Sequence, residues 1–231
     1  KQVKIGYNSA FELKYYQLLK NISGKISLIV LANPNSPTGT VLEKKYIYKI
    51  ISVANKHKVP VVIDEAYFGF YKYSYLKSIK KFQNLIILRT FSKAFGLAGL
   101  RAGYLISNKK IIQELQKFRP MYEINSIACK FLEFLLINKS FPRNYIRETN
   151  KGKKFFEKEL SKLKIIFLKS YANFIHIKLG QKKNNIEKAL KDKKILTRKG
   201  PGVKGFEDFL RITLGPKKEM DKVVEVLKRF F

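Results

Sequence analysis

The 231-residue sequence contains a single cysteine, two histidines and no tryptophan. Cys129 has no second cysteine to pair with, which excludes an internal disulfide framework. We expect it to be a small core residue of a protein from a reducing compartment. His57 and His176 have no acidic or cysteine partners at metal-ligand spacing, so the sequence predicts no metal site.

Long hydrophobic runs are also missing. Apolar stretches such as Leu28 to Ala32 are far shorter than the roughly 20 residues that cross a bilayer as a helix. No apolar signal segment follows Lys1. These features predict a cytoplasmic protein that does not enter the membrane.

Acidic residues are few, since 17 Asp and Glu face 48 Lys and Arg, and the formal net charge is +31. Such a charge favours a polyanionic partner when the basic residues cluster. Here lysines are spread from Lys1 to Lys228, and the aromatic residues lie in apolar runs instead of alternating with the charges. We therefore interpret the lysines as solvated surface residues and expect no specific nucleic-acid binding.

The first half of the chain alternates buried strands with an amphipathic helix. Strands are predicted at Ile26 to Ala32, Val59 to Ile63 and Leu85 to Leu88, with a helix from Glu43 to Lys56 after the first. Strand, helix and strand at this spacing form a βαβ unit with parallel strands. A further strand is predicted at Arg101 to Ser107.

The pattern changes near Asn125, where we place a domain boundary. Residues 1–125 are predicted to form a large domain, and residues 126–231 a smaller α+β domain. The smaller domain should contain helices at Ser126 to Ile137, Asn144 to Leu163, Asn185 to Lys191 and Lys217 to Phe231, and strands at Ile165 to Leu168, Ala172 to Ile177, Ile195 to Arg198 and Phe209 to Leu214.

Polar residues follow three consecutive strands. They are Asn35 and Ser36 after the first strand, Asp64 and Tyr67 after the second, and Ser92 and Lys93 after the third. In open α/β sheets, ligands bind outside the carboxyl ends of the strands. The sequence therefore predicts one ligand site that contains all three pairs.

This residue set suits a cofactor that acts as an electron sink. Lys93 carries an amine that can form an imine with a carbonyl and, once freed, can transfer a proton. Asp64 can keep a ring nitrogen protonated, and Tyr67 can donate to a ring oxygen. Ser92 and Arg101 supply a hydroxyl and a forked cation for a phosphate.

Three motifs carry a family resemblance. Asn33 to Gly39 reads Asn-Pro-Asn-Ser-Pro-Thr-Gly, Asp64 to Tyr67 reads Asp-Glu-Ala-Tyr, and Thr90 to Arg101 reads Thr-Phe-Ser-Lys-Ala-Phe-Gly-Leu-Ala-Gly-Leu-Arg. They resemble the signature blocks of fold-type I pyridoxal-phosphate aminotransferases, most of all histidinol-phosphate aminotransferases. The resemblance runs from about Leu28 to the C-terminus.

The resemblance implies a fold, a cofactor and residue roles. The fold would be a three-layer α/β large domain with a mostly parallel sheet, truncated at its N-terminus, plus a smaller α+β domain. The cofactor would be pyridoxal 5'-phosphate, with Lys93 as its Schiff-base lysine, Asp64 as the pyridinium partner and Tyr67 as the phenolate partner. Ser92 and Arg101 would be phosphate ligands.

Three more residues are candidates for the substrate. Arg211 resembles the family arginine that grips an anionic group, and Arg198 falls where histidinol-phosphate aminotransferases carry a second arginine. Both also admit a simpler role, Arg198 as a solvated residue of a surface strand. Tyr122 occupies a position where histidinol-phosphate aminotransferases have a tyrosine in the substrate pocket. Alternatively, it simply packs there.

The sequence departs from the family in two places. Ser36 stands where an asparagine usually bonds the cofactor's ring oxygen, so that contact is weaker, taken over by Asn35, or bridged by water. Family members also carry an additional N-terminal stretch that binds phosphate and completes the partner's site in a homodimer. We expect the chain to be a fragment or a truncated relative of a homodimeric protein.

The leading hypothesis is amino transfer between glutamate or 2-oxoglutarate and a phosphate-bearing compound such as histidinol phosphate. Its partners would be a small-molecule amino donor and an oxo-acid acceptor. Alternatives with the same cofactor are a phosphonate or aromatic amino-acid aminotransferase and an amino-acid phosphate decarboxylase. A basic binding protein, or an inactive fragment that keeps the fold, is the alternative from another class.

Overall fold

The computed structural model describes residues 2–8, 12–199 and 205–231. The chain divides into two compact units. The first unit comprises Lys1–Ser36 and Thr40–Lys139, and the second comprises Pro37–Gly39 and Ser140–Phe231. The chain therefore changes unit after Lys139 and not near Asn125, because Leu132 of the intervening helix packs against Phe91 and Ala102 of the first unit.

The first unit contains a four-stranded sheet in the order β1-β2-β3-β4. The β1–β2 and β2–β3 pairs are parallel, whereas β4 runs antiparallel to β3. The predicted α/β fold with a mostly parallel sheet is confirmed. Its elements are α1 (Tyr15–Asn21), β1 (Ile29–Ala32), α2 (Lys44–Lys56), β2 (Val61–Asp64), β3 (Leu85–Thr90), β4 (Gly103–Ile106), α3 (Lys109–Gln116) and α4 (Ser126–Ile137).

Helix α2 forms because its apolar residues recur at helical spacing. Ile47, Ile50, Ile51 and Ala54 are all fully buried against the sheet. Burial of each isoleucine contributes roughly 1.5–3 kcal/mol. The helix thereby covers one face of β1, β2 and β3.

The reversal between β3 and β4 depends on a glycine. A Cβ at Gly103 would lie 2.8 Å from the carbonyl oxygen of Arg89, so only glycine lets the two strands approach this closely. Strand β4 consequently begins at Gly103 and not at Arg101, which adopts a left-handed conformation with φ 53°.

The second unit confirms the predicted α+β arrangement. Its antiparallel sheet has the order β5-β7-β6 and packs with the helices around a core that includes Phe156, Ile175 and Leu210. The elements are α5 (Ser140–Lys162), β5 (Phe174–Lys178), α6 (Lys183–Asp192), β6 (Arg198–Lys199), β7 (Phe209–Thr213) and α7 (Lys217–Leu227).

Three predictions for this unit were wrong in detail. The strand predicted at Ile195 to Arg198 comprises only Arg198–Lys199. Residues 165–168 do not form a strand of the sheet, and an isolated bridge joins Phe167 to Ile177 instead. Helix α5 begins at Ser140, earlier than predicted, and Pro142 lies in its first turn. Proline is tolerated there because the first helical N–H groups have no partner within the helix.

The surface of α4 corrects a further prediction. Cys129 is exposed, although we expected a core residue. The buried face of α4 carries Ala128, Leu132 and Leu135, and Cys129 lies off that face. Among the helices of the described residues, none combines the length and hydrophobicity needed to cross a bilayer.

Candidate active site

The carboxyl ends of β1 and β2 are joined by backbone hydrogen bonds. Asn33 N–H donates to the carbonyl of Asp64 at 3.0 Å, and the buried Asn33 side chain accepts from Leu42 N–H at 2.8 Å. Asn35 N–H donates to the carbonyl of Thr40 at 2.8 Å. These bonds hold Asn35, half-buried, and Ser36, exposed, at the end of β1.

The end of β2 and the turn after it carry Asp64 and Tyr67. Asp64 lies opposite Ala32 in β1 and Leu88 in β3, and its Oδ1 accepts from Ala66 N–H at 2.8 Å. Tyr67 is only 4% exposed. The turn therefore orients the Asp64 carboxylate through its own backbone and buries the Tyr67 ring.

The turn after β3 carries Ser92 and Lys93. Its two ends are tied together, since Phe91 N–H donates to the carbonyl of Ala102 at 3.2 Å. Ser92 N–H donates to Thr90 Oγ1 at 3.0 Å, and Gly96 N–H donates to the carbonyl of Lys93 at 3.1 Å. Both Ser92 and Lys93 are half-buried, so the turn is ordered by backbone bonds while the lysine can still reach a ligand.

The structure brings Lys93 and Tyr67 together. Lys93 Nζ lies 5.8 Å from the centre of the Tyr67 ring. Because β2 and β3 are adjacent and parallel, Asp64 ends one strand and Ser92 follows the next at the same edge of the sheet. The first unit therefore places four candidate residues at neighbouring strand ends, namely Asp64, Tyr67, Ser92 and Lys93.

Arg101 lies at the far end of the same loop. It is exposed, and its Nη1 donates to the carbonyl of Ala98 at 3.1 Å. The short 3₁₀ turn Ala98–Leu100 ends at this residue. The guanidinium is thus bound to its own turn, and a role in phosphate binding remains a proposal.

A buried ion pair that sequence reasoning missed links the ends of β2 and β3. Glu65 and Arg89 side chains are 2% and 8% exposed, and Arg89 Nη2 lies 2.9 Å from Glu65 Oε2. Arg89 Nε also donates to Glu65 Oε2, at 3.1 Å. The available signal was the position of Glu65 between Asp64 and Tyr67, with an arginine at the end of the next strand.

In the second unit, three basic side chains occupy opposing positions of the sheet. Arg211 of β7 is paired with Arg198 of β6 on one side and with His176 of β5 on the other. Directly opposed residues project from the same face. Arg198 is exposed and Arg211 is half-buried, with its guanidinium 5.0 Å from the centre of the Phe174 ring.

His176 of β5 is fully buried. Its Nε2 donates to the carbonyl of Pro37 at 2.8 Å, which places the proton on that nitrogen. The ring also makes an edge contact with Phe206, 4.9 Å between centroids. Burial lowers the pKa of His176 below its ordinary 6.5, and the nearby Arg211 lowers it further, against the opposing effect of the Pro37 hydrogen bond.

We expect His176 to make the protein less stable in mild acid. The folded protein keeps the ring neutral, so the unfolded chain binds more protons as the pH falls below about 6.5. The free energy of unfolding is therefore highest above about pH 6.5 and decreases as the pH falls toward the lowered pKa of the folded protein. The total decrease is about 1.4 kcal/mol for each pKa unit between the unfolded and the folded protein.

Urea unfolding between pH 7.5 and 5, followed by circular dichroism, measures this loss. His176→Gln keeps an N–H donor for Pro37 but cannot titrate, and should flatten the pH profile. His57→Gln is the matched control, because His57 is exposed. An unchanged profile in His176→Gln would contradict the assignment.

Tyr122 is not gathered with the other candidates. It lies after α3 and is 89% exposed, so the alternative that it simply packs is wrong. A role toward the substrate remains a proposal for this residue.

The donor set of the first unit fits pyridoxal 5'-phosphate. It offers an amine at Lys93, a carboxylate at Asp64, a buried phenol at Tyr67 and a hydroxyl at Ser92. These match the aldehyde, the ring nitrogen, the ring oxygen and the phosphate of that group in chemical type. The residues at this edge of the sheet are therefore suited to hold it.

Comparisons with known proteins agree with this chemistry. The model of aminotransferase class I and II matches residues 2–227. A curated relative, histidinol-phosphate aminotransferase of Caldanaerobacter subterraneus subsp. tengcongensis, is 40% identical over 207 residues. The alignment covers 88% of this chain and 57% of the relative, so the chain spans less than two thirds of the relative's length.

Solved structures share the fold. The histidinol-phosphate aminotransferase of Clostridium acetobutylicum superposes with a TM-score of 0.85 and 25% identity, covering 99% of this chain and 70% of that one. The enzyme of Sinorhizobium meliloti, solved with pyridoxal-5'-phosphate, has a TM-score of 0.83 and 24% identity over all of this chain and 65% of that one. Since the family model covers nearly the whole length and the relative is 40% identical, the chain belongs to the class I and II aminotransferases.

Proposed function

We propose that the protein containing this chain is a pyridoxal-phosphate-dependent aminotransferase acting on a phosphate-bearing amine such as histidinol phosphate, with 2-oxoglutarate as acceptor. The observation that carries the proposal is the half-buried Lys93 on a turn at the end of β3, 5.8 Å from the ring of the buried Tyr67. The 40% identity to a histidinol-phosphate aminotransferase supports the substrate class.

Each residue has a defined task in this proposal. When bound, pyridoxal phosphate supplies an electron sink for the pair released when the substrate's α-proton is removed. Lys93 Nζ would hold the cofactor and, once the incoming amine has displaced it, would take and return that proton. Asp64 would keep a proton on the ring nitrogen, and Tyr67 would donate its hydroxyl hydrogen to the ring oxygen.

The phosphate of the cofactor requires donors that this edge of the sheet offers in part. Ser92 contributes a hydroxyl next to Lys93, and Arg101 contributes a guanidinium from the end of the same loop. Ser36 or Asn35 would contact the ring oxygen from the end of β1. The exposure of Ser36 favours Asn35, which is half-buried, for this contact.

The substrate's anionic group is assigned to the second unit. Arg211 and Arg198 lie at opposing positions of β7 and β6, so their side chains share one face of the sheet. Two guanidinium groups suit a phosphate dianion better than a single carboxylate. Tyr122 is assigned to the substrate as well, on the family position that it occupies; its side chain is 89% exposed.

We further propose that the whole protein is a homodimer and acts in the cytoplasm. The curated relative extends well beyond the length matched here, since this chain covers 57% of it.

The high positive charge of +31 is assigned to solvated lysines.

The decisive experiment tests covalent attachment at Lys93. Pyridoxal phosphate is added to the protein, the mixture is reduced with borohydride, and the modified peptide is located by mass spectrometry. We expect a visible absorbance band before reduction and a mass increase on the peptide that contains Lys93.

Lys93→Ala should abolish both signals, whereas Lys110→Ala, which changes a lysine of α3, should retain them. Modification spread over many surface lysines, with no loss in Lys93→Ala, would contradict the proposal. Comparing amino transfer with carbon dioxide release from amino-acid phosphates then separates an aminotransferase from a related decarboxylase.

A further inference from the structure

We propose that the Glu65–Arg89 ion pair is a positioning device, which holds the turn bearing Tyr67 and the turn bearing Lys93 in the relative placement that cofactor binding requires. The inference rests on the proposed function. It assigns a role to two residues outside the set proposed to hold the cofactor and the substrate.

The pair belongs to a hydrogen-bonded cluster within the first unit. Glu65 Oε2 accepts from Arg89 and from Ser74 Oγ, the latter at 2.9 Å, and Oε1 accepts from Tyr75 N–H at 2.7 Å. Arg89 Nη2 also donates to Ser74 Oγ at 2.7 Å. One carboxylate thus anchors residues 74 and 75 and the end of β3 at the same time.

The cluster lies between the two groups of candidate residues. Glu65 directly follows Asp64, and its own N–H donates to the carbonyl of Leu88 at 2.9 Å. The Arg89 guanidinium stacks on the ring of Phe68, 3.5 Å from its centre, and Phe68 directly follows Tyr67. Movement of β3 relative to the Asp64–Tyr67 turn would therefore break backbone, ionic and stacking contacts together.

Stability alone is a poor explanation for such a pair. Replacing a buried ion pair by apolar residues of similar volume is often neutral or stabilising, whereas removing one partner is strongly destabilising. An apolar pair would let the two turns pack together but would not fix their position relative to each other. The planar fork of arginine sets direction as well as distance, which a lysine cannot reproduce.

Two variants separate positioning from folding. The double variant Glu65→Leu/Arg89→Met removes both charges and keeps the volume, and Arg89→Lys keeps the charge but not the fork. Each is tested by urea unfolding, by titration with pyridoxal phosphate, and by the pH midpoint of the Lys93-dependent absorbance band. Glu114→Leu/Lys117→Met, which removes an exposed ion pair between α3 and the residue that follows it, is the matched control.

We expect the double variant to unfold at a somewhat lower urea concentration than the original protein, because Tyr75 N–H and Ser74 Oγ lose their acceptor, but to stay folded and to bind pyridoxal phosphate about tenfold more weakly. Arg89→Lys should show a similar loss of affinity. In both, the pH midpoint of the band should rise, because a displaced Tyr67 donates less well to the ring oxygen. The control pair should leave affinity and midpoint unchanged.

The outcomes are distinct. Unchanged affinity and unchanged pH midpoint in a folded double variant would show that the pair only supports the fold, and would overturn the inference. If the double variant does not fold, Arg89→Lys decides by the same two measurements. Absence of any Lys93-dependent band in the original protein would instead overturn the proposed function.

Discussion

Replacing Asp64 by asparagine is expected to weaken the binding of pyridoxal phosphate about 10- to 100-fold, because a hydrogen bond to a charged group contributes about 1.5–3 kcal/mol. The asparagine side chain would keep an oxygen that can accept from Ala66 N–H, as Asp64 Oδ1 does at 2.8 Å. The turn after β2 should therefore remain folded. The substitution isolates the negative charge that holds the proton on the ring nitrogen.

The measurement is a pyridoxal phosphate titration of both proteins at pH 7.5, followed by the visible band and by the extent of reductive labelling at Lys93. Asp192→Asn is the matched control, since Asp192 is exposed at the end of α6. It should leave the affinity unchanged. Equal affinity in Asp64→Asn and the original protein would mean that Asp64 does not contact the ring nitrogen.

A second large effect is expected from Gly152→Ala, which should destabilise the protein by about 1–3 kcal/mol or more. Gly152 is buried in α5, and a Cβ there would lie 1.9 Å from the carbonyl oxygen of Gly215 and 2.9 Å from the carbonyl carbon of Pro216. These are backbone atoms of the two residues directly before α7, so they cannot move aside without shifting the start of that helix.

Helix propensity makes the opposite prediction for this position. Alanine is favoured over glycine inside a helix by about 1 kcal/mol, so α5 alone would gain stability from the substitution. Urea unfolding decides between the two, and we expect a lower midpoint. Gly24→Ala is the control, because a Cβ at Gly24 meets nothing within 4 Å. A midpoint raised by Gly152→Ala would show that α5 does not pack against Gly215 as closely as described.

Local pattern was sufficient for most elements. The spacing of Ile47, Ile50 and Ile51 predicts α2, and the structure buries all three. The short apolar runs before Asp64 and Ser92 predict β2 and β3, and the βαβ spacing predicts their parallel pairing, which is confirmed. These features depend on neighbouring residues and on periodicity, which the amino-acid sequence displays directly.

The positions of the candidate site residues could be predicted for the same reason. Asp64, Tyr67 and Lys93 lie at or just after strand ends, and parallel strands deliver their carboxyl ends to one edge of a sheet. The 5.8 Å between Lys93 Nζ and the Tyr67 ring is therefore a consequence of strand order. Arg101 was harder to place, because its left-handed φ of 53° turns its side chain back to Ala98.

Burial of polar groups could not be predicted from composition. Glu65 and Arg89 stand at neighbouring strand ends, but their positions in the sequence do not indicate that they lie 2.9 Å apart with side chains nearly inaccessible to solvent. His176 is buried opposite Arg211 because β5 and β7 pair in a particular register. Cys129 was misplaced because helical periodicity within α4 is weak when nearly every residue is apolar.

The sequence by itself determined most of the helices and strands, the apolar face of α2, and which chemical groups follow the strands, because each depends on residues a few positions apart. Only the tertiary structure decided that β4 runs antiparallel, that α4 belongs to the first unit, and that Glu65 and Arg89 join two strand ends. Those outcomes depend on contacts between residues far apart in the chain, where close packing and the need to pair every buried charge select one arrangement.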